Sequence, residues 1–160
     1  YPYQVKALSE AGHEIMNHSD THPYMTRLSL ESMLSQLSAC SDKIENITGV
    51  RPTLFRAPYG DYSNAVLEAA EMEGMLTIQW DVDSLDWKDL TAKQIYDRVV
   101  PRVKSGSIVL FHNGGLHTAE SLPAIISELQ SQGYQFLKIS ELVYYENYTV
   151  DHTGMQIPNQ

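Results

Sequence analysis

At 160 residues the chain is long enough for one compact domain with a buried core. Its 42% of hydrophobic and 19% of charged residues fit an ordinary globular protein. Twenty acidic residues against 11 Lys and Arg give a formal net charge of −9, which argues against a nucleic-acid partner because phosphate binding needs a basic surface. A glycan is compatible with this charge. Cys40 is the single cysteine, which excludes an intramolecular disulfide and a cysteine-based metal site.

Apolar residues alternate along the chain between the period of a helix and short buried runs. Ser29 is a candidate N-cap of the longest helix, and Gly49 is expected to end it. The predicted elements, in chain order, are a helix at 4–11, a strand at 13–16, a helix at 30–47, a strand at 53–56, a helix from Ser63 to near Gly74, a strand at 75–81, a helix from Thr91 to Gly106, a strand at 107–111, a helix at 119–132, a strand at 134–137 and a short helix from Ser140. The residues after about 148 show no period and are expected to wrap the surface or lie loose. No apolar run is long enough for a membrane span.

Strands that alternate with helices predict repeated βα units with a parallel sheet, either open and doubly wound or closed into a barrel. In both folds functional groups gather at the carboxyl ends of the strands. Four successive predicted strands are followed by ionisable or polar side chains, namely His18 and His22, Arg56 and Tyr59, Asp81, Asp83 and Asp86, and His112 and Asn113. This distribution is typical of the rim of an active site.

The segment Asn17 to Pro23, NHSDTHP, places His18 and His22 four residues apart. On a helical turn, positions i and i+4 lie on one face, so that both rings would reach one metal ion. Imidazole suits zinc, copper, nickel and iron. A catalytic site needs a third protein ligand and an open water position as well. The alternative is a polar helix start with two exposed histidines.

The three later clusters each allow a structural and a functional interpretation. Residues 56–60, RAPYG, are typical of a tight turn. The three carboxylates within 81–86 repel one another unless water or a cation balances them, and Trp87 beside them is either a core residue or a platform on which a sugar stacks. His112, after five apolar residues, is either a hydrogen-bonded core group or an acid or base held by a carboxylate.

Together the clusters resemble the NodB-homology polysaccharide deacetylases, the family 4 carbohydrate esterases. The matching segments are HSDTH at 18–22, RAPY at 56–59, DSLDW at 83–87 and IVLFH at 108–112, with GHEI at 12–15 as a lead-in. Four of the family's five signatures are matched in order. The resemblance implies an α/β fold, a distorted (β/α) barrel of the NodB-homology type, incomplete because the first strand or strands are missing. It also implies an N-terminally truncated deacetylase domain at 1–148 and a C-terminal tail at 149–160.

The departure from the family is its first signature, an acidic pair that would precede Tyr1. Members of the family use one of these acids as the catalytic base and the other as the third metal ligand. The chain alone therefore lacks the family's catalytic base, and the missing N-terminal segment is a candidate partner.

The resemblance implies a metal-dependent hydrolase that removes N-acetyl groups from an N-acetylglucosamine-containing polysaccharide, peptidoglycan or chitin-like, and releases acetate. His18 and His22 would bind one divalent metal ion, expected to be zinc. His112 would protonate the leaving amine, with Asp86 as its charged partner. Arg56 would orient the missing base.

The remaining implied roles concern the substrate. The backbone N–H of Tyr59 would stabilise the oxyanion, and Trp87 and Leu110 would wall a pocket for the acetyl methyl group. Two alternatives stay open: a non-catalytic glycan-binding domain that uses Trp87, Tyr59 and Tyr62 for stacking, and an O-acetyl esterase acting on acetylated xylan. By analogy with the family, the protein is expected to be secreted or in the cell envelope.

Overall fold

The computed structural model of the protein describes residues 1–159, which form six helices and six short strands. The helices are α1 (Pro2–Glu10), α2 (Leu30–Thr48), α3 (Asn64–Met72), α4 (Ala92–Val99), α5 (Thr118–Ser131) and α6 (Ile139–Leu142). The strands are β1 (Leu54–Phe55), β2 (Leu76–Thr77), β3 (Val82–Asp83), β4 (Val109–Leu110), β5 (Tyr148–Val150) and β6 (Gln156–Pro158). The chain divides into two compact units, residues 1–79 and the part that begins at Trp80. Within residues 1–159 no helix has the length and apolar character that crossing a membrane requires.

The first unit packs α2 and α3 against a parallel pair of strands. β1 pairs with β2 in the register Leu54↔Leu76 and Phe55↔Thr77. The buried residues of its core are Met25, Met33, Leu37, Phe55, Ala57, Val66, Ala69, Ala70 and Met75. The prediction for α2 is confirmed at both ends: the Ser32 N–H donates to the Ser29 side chain, and Gly49 ends the helix at φ +76°, a conformation that glycine adopts without strain.

The second unit repeats this plan with α4 and α5. β3 pairs in parallel with β4, in the register Val82↔Val109 and Asp83↔Leu110. The buried core consists of Val82, Ile95, Val99, Val100, Ile125 and Leu129. The two strands carry Ser84 to Asp86 and Phe111 to His112 at their carboxyl ends. The unit therefore places the second half of the predicted site residues at one edge of a parallel sheet.

The strands predicted at 53–56 and 107–111 are present as β1 and β4, whereas the predictions at 13–16 and 75–81 are corrected. Residues 13–16 form no strand; a single parallel bridge joins Asn17 to Phe55, while the Asn17 side chain donates to α2 at Leu37 O (2.8 Å) and Ser41 Oγ (2.9 Å). Of the predicted strand 75–81, Leu76–Thr77 form the strand β2, which pairs with β1; the next strand, β3, begins only at Val82 and pairs with β4. Apolar periodicity does not say which neighbour a strand will have.

The C-terminal predictions are corrected as well. Residues 134–137 form no strand, and all of them except Tyr134 are exposed. The tail is not irregular, since β5 and β6 form an antiparallel hairpin. The Asp151 side chain closes its turn by accepting hydrogen bonds from the N–H and hydroxyl of Thr153 and from the Met155 N–H. The helix expected to run to Gly106 ends at Val99 and continues as a 3-10 turn at Val100–Arg102.

Candidate active site

The loop that carries His18 and His22 is irregular, in contrast to the helical turn expected from their spacing. Ser19 and His22 both have left-handed backbones, with φ of 66° and 59°. Side chains hold this shape: the Ser19 N–H donates to Asn17 Oδ1 at 2.9 Å, and the His22 N–H donates to Ser19 Oγ at 3.0 Å. The two imidazole centroids come within 5.0 Å of each other at an interplanar angle of 72°. The two rings are therefore brought together by the loop and not by helical geometry.

A backbone contact orients the first of these rings. His18 Nδ1 lies 2.6 Å from the carbonyl oxygen of Arg56. A carbonyl only accepts, so Nδ1 carries the proton and the lone pair of the neutral ring is on Nε2. Metal-binding histidines commonly have their other ring nitrogen anchored in this way.

The two imidazoles fit two positions of a divalent metal site. Residues 1–159 contain no group of three or more His, Cys, Asp or Glu side chains that could hold a metal ion. The nearby carboxylate of Asp20 is engaged by Lys43. A zinc site with three protein ligands would thus need one more ligand than the described residues bring to this loop.

The loop after β1 places Arg56 and Tyr59. Arg56 is half-buried, and the loss of solvation lowers the pKa of its guanidinium. Tyr59 has a left-handed backbone, with φ of 60°, inside the turn Pro58–Gly60, and its side chain is 57% exposed. A bulky residue in that conformation is strained, and such strain clusters at functional sites.

An aromatic stack joins the two loops of the first unit. The Tyr59 ring lies against His22, with centroids 4.6 Å apart, and is stacked on Tyr24 at 4.2 Å and 15°. The guanidinium of Arg27 lies 4.4 Å from the Tyr24 centroid. The Asp61 carboxylate accepts hydrogen bonds from the N–H and hydroxyl of Thr26, at 2.9 Å each. His18, His22, Arg56 and Tyr59 therefore form one connected group.

In the second unit, Asp86 and His112 form a hydrogen-bonded pair. His112 Nδ1 lies 2.8 Å from Asp86 Oδ1, and the His112 backbone N–H donates to Asp86 Oδ2 at 2.9 Å. Asp86 is fully buried, whereas the His112 side chain is 35% exposed. This is the arrangement in which a carboxylate orients an imidazole and stabilises its protonated form.

Thr118 is a third member of this group, and its residue type and position in the sequence do not predict it. The Thr118 hydroxyl donates to Asp86 Oδ2 at 2.6 Å. Burial raises the pKa of the Asp86 carboxyl, but hydrogen bonds from the His112 N–H, Thr118, the His112 ring and Ser84 outweigh that effect, so that its pKa lies below the ordinary value. A threonine at the start of a helix has an obvious capping interpretation, and the sequence carries no signal of its contact with residue 86.

The predicted substrate residues have contrasting exposure. Trp87 is 55% exposed, with the Lys88 ammonium 5.0 Å from its ring, and Leu110 in β4 is only 4% exposed. Tyr62 in the first unit is 51% exposed. Asp81 has a structural role, because its carboxylate accepts from the Ile108 N–H and the Ser107 hydroxyl.

Comparison with known proteins identifies the family of the chain. A family model described as polysaccharide deacetylase matches residues 1–78. The chain is 36% identical to a peptidoglycan-N-acetylglucosamine deacetylase of Bacillus cereus, over 91% of this chain and 70% of the relative. It is 39% identical to the peptidoglycan-N-acetylmuramic acid deacetylase PdaC of Bacillus subtilis, over 89% of this chain. The chain spans 30% of PdaC and less than half the length of the other first curated relatives.

Solved structures agree with the sequence matches. The structure of PdaC is similar at a TM-score of 0.80, with 89% of this chain and 69% of that chain covered. A pseudoenzyme of family CE4 from Bacillus anthracis is 35% identical, with a TM-score of 0.85 and coverage of 88% of this chain and 50% of that chain. These likenesses confirm the predicted fold class, a partial (β/α) barrel of the NodB-homology type. The chain therefore belongs to the polysaccharide deacetylase family.

Proposed function

We propose that the protein removes N-acetyl groups from the amino sugars of peptidoglycan and releases acetate. The observation that carries the proposal is the contact of buried Asp86 with the half-exposed His112 ring, 2.8 Å between Oδ1 and Nδ1. A structural histidine needs no ionised partner of this kind, whereas an acid that protonates a leaving amine does. The relatives named as peptidoglycan deacetylases support the substrate.

Each candidate residue has its own role in the proposed reaction. His112 holds the proton that the amine nitrogen takes when the amide C–N bond breaks. Asp86 keeps the imidazole oriented and favours its charged form. The Tyr59 N–H donates to the negative charge that develops on the acetyl oxygen. Trp87 and Leu110 limit the acyl group to a small methyl.

The first unit holds the metal in this proposal. His18 and His22 bind one divalent ion, expected to be zinc, together with an acidic ligand from outside the described residues. When bound, such an ion supplies a water of lowered pKa and polarises a carbonyl group. Arg56, a half-buried cation, orients the acidic base of the family, because a desolvated guanidinium favours a carboxylate neighbour.

The setting follows from the proposed substrate. Peptidoglycan lies outside the cytoplasmic membrane, so we propose that the protein is secreted or located in the cell envelope. The relatives do not favour the non-catalytic glycan-binding alternative or an esterase acting on xylan, because the curated relatives with named activities are peptidoglycan deacetylases.

Acetate release from peptidoglycan tests the proposal. In the full-length protein supplied with Zn²⁺, His112→Asn is expected to lower the rate by about 10²–10⁴-fold, the usual loss for a general acid. Metal content, measured by elemental analysis, is expected to stay unchanged. His117→Asn is the matched control, because His117 also contacts a carboxylate, Glu120 at 2.9 Å, but on the exposed surface. Undiminished acetate release by the His112 variant would refute the proposed role.

A further inference from the structure

The carboxylate of Asp86 divides its contacts between its two oxygens. Oδ1 faces the His112 ring nitrogen, and Oδ2 accepts from the His112 backbone N–H and from the Thr118 hydroxyl. Thr118 is the first residue of α5, so this hydroxyl is held at the end of a 14-residue helix. The shortest of the three contacts, 2.6 Å, is the one from Thr118.

The structure leaves little room for the carboxylate to turn. A partial rotation of the Asp86 carboxylate would weaken the bond from Thr118 and the contact with the His112 ring together. The Thr118 carbonyl accepts from the Ser121 hydroxyl at 2.8 Å, within the first turn of α5. Donors that are fixed on rigid elements hold an acceptor more sharply than donors on mobile loops.

Gly115 lies directly beside this bond. A Cβ atom at position 115 would clash with the Thr118 hydroxyl and would lie 3.2 Å from Asp86 Oδ2. The position thus excludes any side chain larger than hydrogen while Thr118 points at Asp86. The bond from Thr118 to Asp86 and the absence of a side chain at 115 form a single local arrangement.

We propose that Thr118 is a positioning residue for the Asp86–His112 pair, with Gly115 keeping open the space in which its hydroxyl reaches Asp86. The inference rests on the proposed function, in which His112 is the acid. Thr118 touches neither substrate nor metal in this proposal. It acts by holding Oδ2, so that Oδ1 remains aligned with the imidazole, and by favouring the ionised carboxylate.

The pKa of Asp86 can be measured, and it would not change if Thr118 served only to fill space in the packing. A neutral hydroxyl that donates to a carboxylate stabilises its ionised form. Thr118→Val keeps the shape of the side chain and removes this donor, so the pKa of Asp86 should rise. The substitution leaves the other groups that hydrogen-bond to Asp86, the His112 N–H and ring and the Ser84 hydroxyl, in place.

The experiment is a titration of the Asp86 carboxyl carbon by NMR in the chain labelled with carbon-13. The midpoint is expected to move to higher pH in Thr118→Val and to stay near that of the wild type in Thr118→Ser, which restores the hydroxyl. Thr149→Val, the same change at an exposed residue of β5, is the matched control and should leave the midpoint unchanged. An unmoved midpoint in Thr118→Val, or equal shifts in the Val and Ser variants, would overturn the inference.

A second variant covers the case in which Thr118→Val does not fold. Gly115→Ala displaces the hydroxyl sterically while Thr118 stays in the sequence, and it should move the midpoint in the same direction. In the full-length protein, the acid limb of the rate of acetate release should move to higher pH together with the midpoint. The titration does not depend on turnover. An unmoved midpoint refutes the role of Thr118 alone, and a protein that releases no acetate refutes the proposed function alone.

Discussion

Asp86 is a single residue that shows how hydrogen bonds can keep a buried carboxylate ionised. Its side chain has no exposed surface, yet its pKa lies below the ordinary value because the bonds from the His112 N–H and Thr118 outweigh burial. A group whose pKa is lower in the folded than in the unfolded chain adds stability at pH values above its unfolded pKa, and that contribution disappears as the pH falls through the folded pKa. Asp86 therefore links the chemistry of the site to its stability in acid.

Asp86→Asn is expected to lower the free energy of unfolding at pH 7 by about 3 kcal/mol, because the donors around the carboxylate lose a charged acceptor. Below about pH 4 the wild type should approach the variant, since the wild-type carboxyl then binds its proton. Urea unfolding from pH 2.5 to 7, followed by circular dichroism, measures both curves. Parallel curves over the whole range would contradict the assignment.

His18 allows a test of the metal site that does not involve turnover. His18→Ala should weaken Zn²⁺ binding to the protein by tenfold or more in calorimetric titrations, because one of the two imidazole ligands is lost. His13→Ala is the control, since His13 is exposed and lies in the same unit. Equal affinity in both variants would mean that the pair is structural.

At the scale of elements, α3 and α4 both begin where the sequence predicts, but their N-caps differ in hydrogen bonding. α4 starts with a capping box, in which Thr91 accepts from the Gln94 N–H and the Gln94 side chain accepts from the Thr91 N–H. α3 also has a serine at its N-cap, Ser63, but that side chain makes no capping hydrogen bond. A hydroxyl side chain at the N-cap is therefore expected to contribute more to the stability of α4 than to that of α3.

Thr91→Ala is expected to destabilise the protein by about 1 kcal/mol, the usual value of an N-cap bond. Ser63→Ala removes a hydroxyl from the equivalent position and should change the unfolding free energy by no more than a few tenths of that. Thermal and urea unfolding of the two variants compare them directly. A larger loss in the Ser63 variant would show that the capping geometry is not the cause.

The elements also show why part of the site could be predicted and part could not. Helices such as α2 are determined by periodicity and end signals within the segment itself, and its predicted bounds agree with the structure within a residue or two. Strands need a partner far away in sequence, so apolar periodicity predicts a strand over 75–81 although pairing with β1 limits it to Leu76–Thr77. Thr118 was missed for the same reason: its contact with Asp86 spans 32 residues.

At the scale of the whole molecule, net charge governs the approach of a charged polymer. The chain carries a formal charge of −9. The substrate proposed above, peptidoglycan, bears carboxylates on its peptide stems. Like charges repel over the Debye length, which falls from about 30 Å at 0.01 M salt to about 8 Å at 0.15 M. The repulsion should therefore be strongest in dilute buffer.

We expect the KM for peptidoglycan to fall as NaCl is raised from about 10 to about 150 mM, because screening removes the repulsion. The KM for a neutral N-acetylglucosamine oligosaccharide is the control and should change little. Acetate release at a series of substrate concentrations measures both. A KM for peptidoglycan that rises with salt would indicate attraction and would contradict this account.

Five residues beside the candidate catalytic groups have left-handed backbones without being glycine: Ser19, His22, Tyr59, Leu85 and Asp89. Each such conformation costs roughly 1–3 kcal/mol relative to a relaxed backbone. A lineage freed from selection for its chemistry would gain from replacing them with glycine or asparagine. We therefore expect the residue types at these five positions in a paralogue to indicate whether the proposed chemistry is still under selection there.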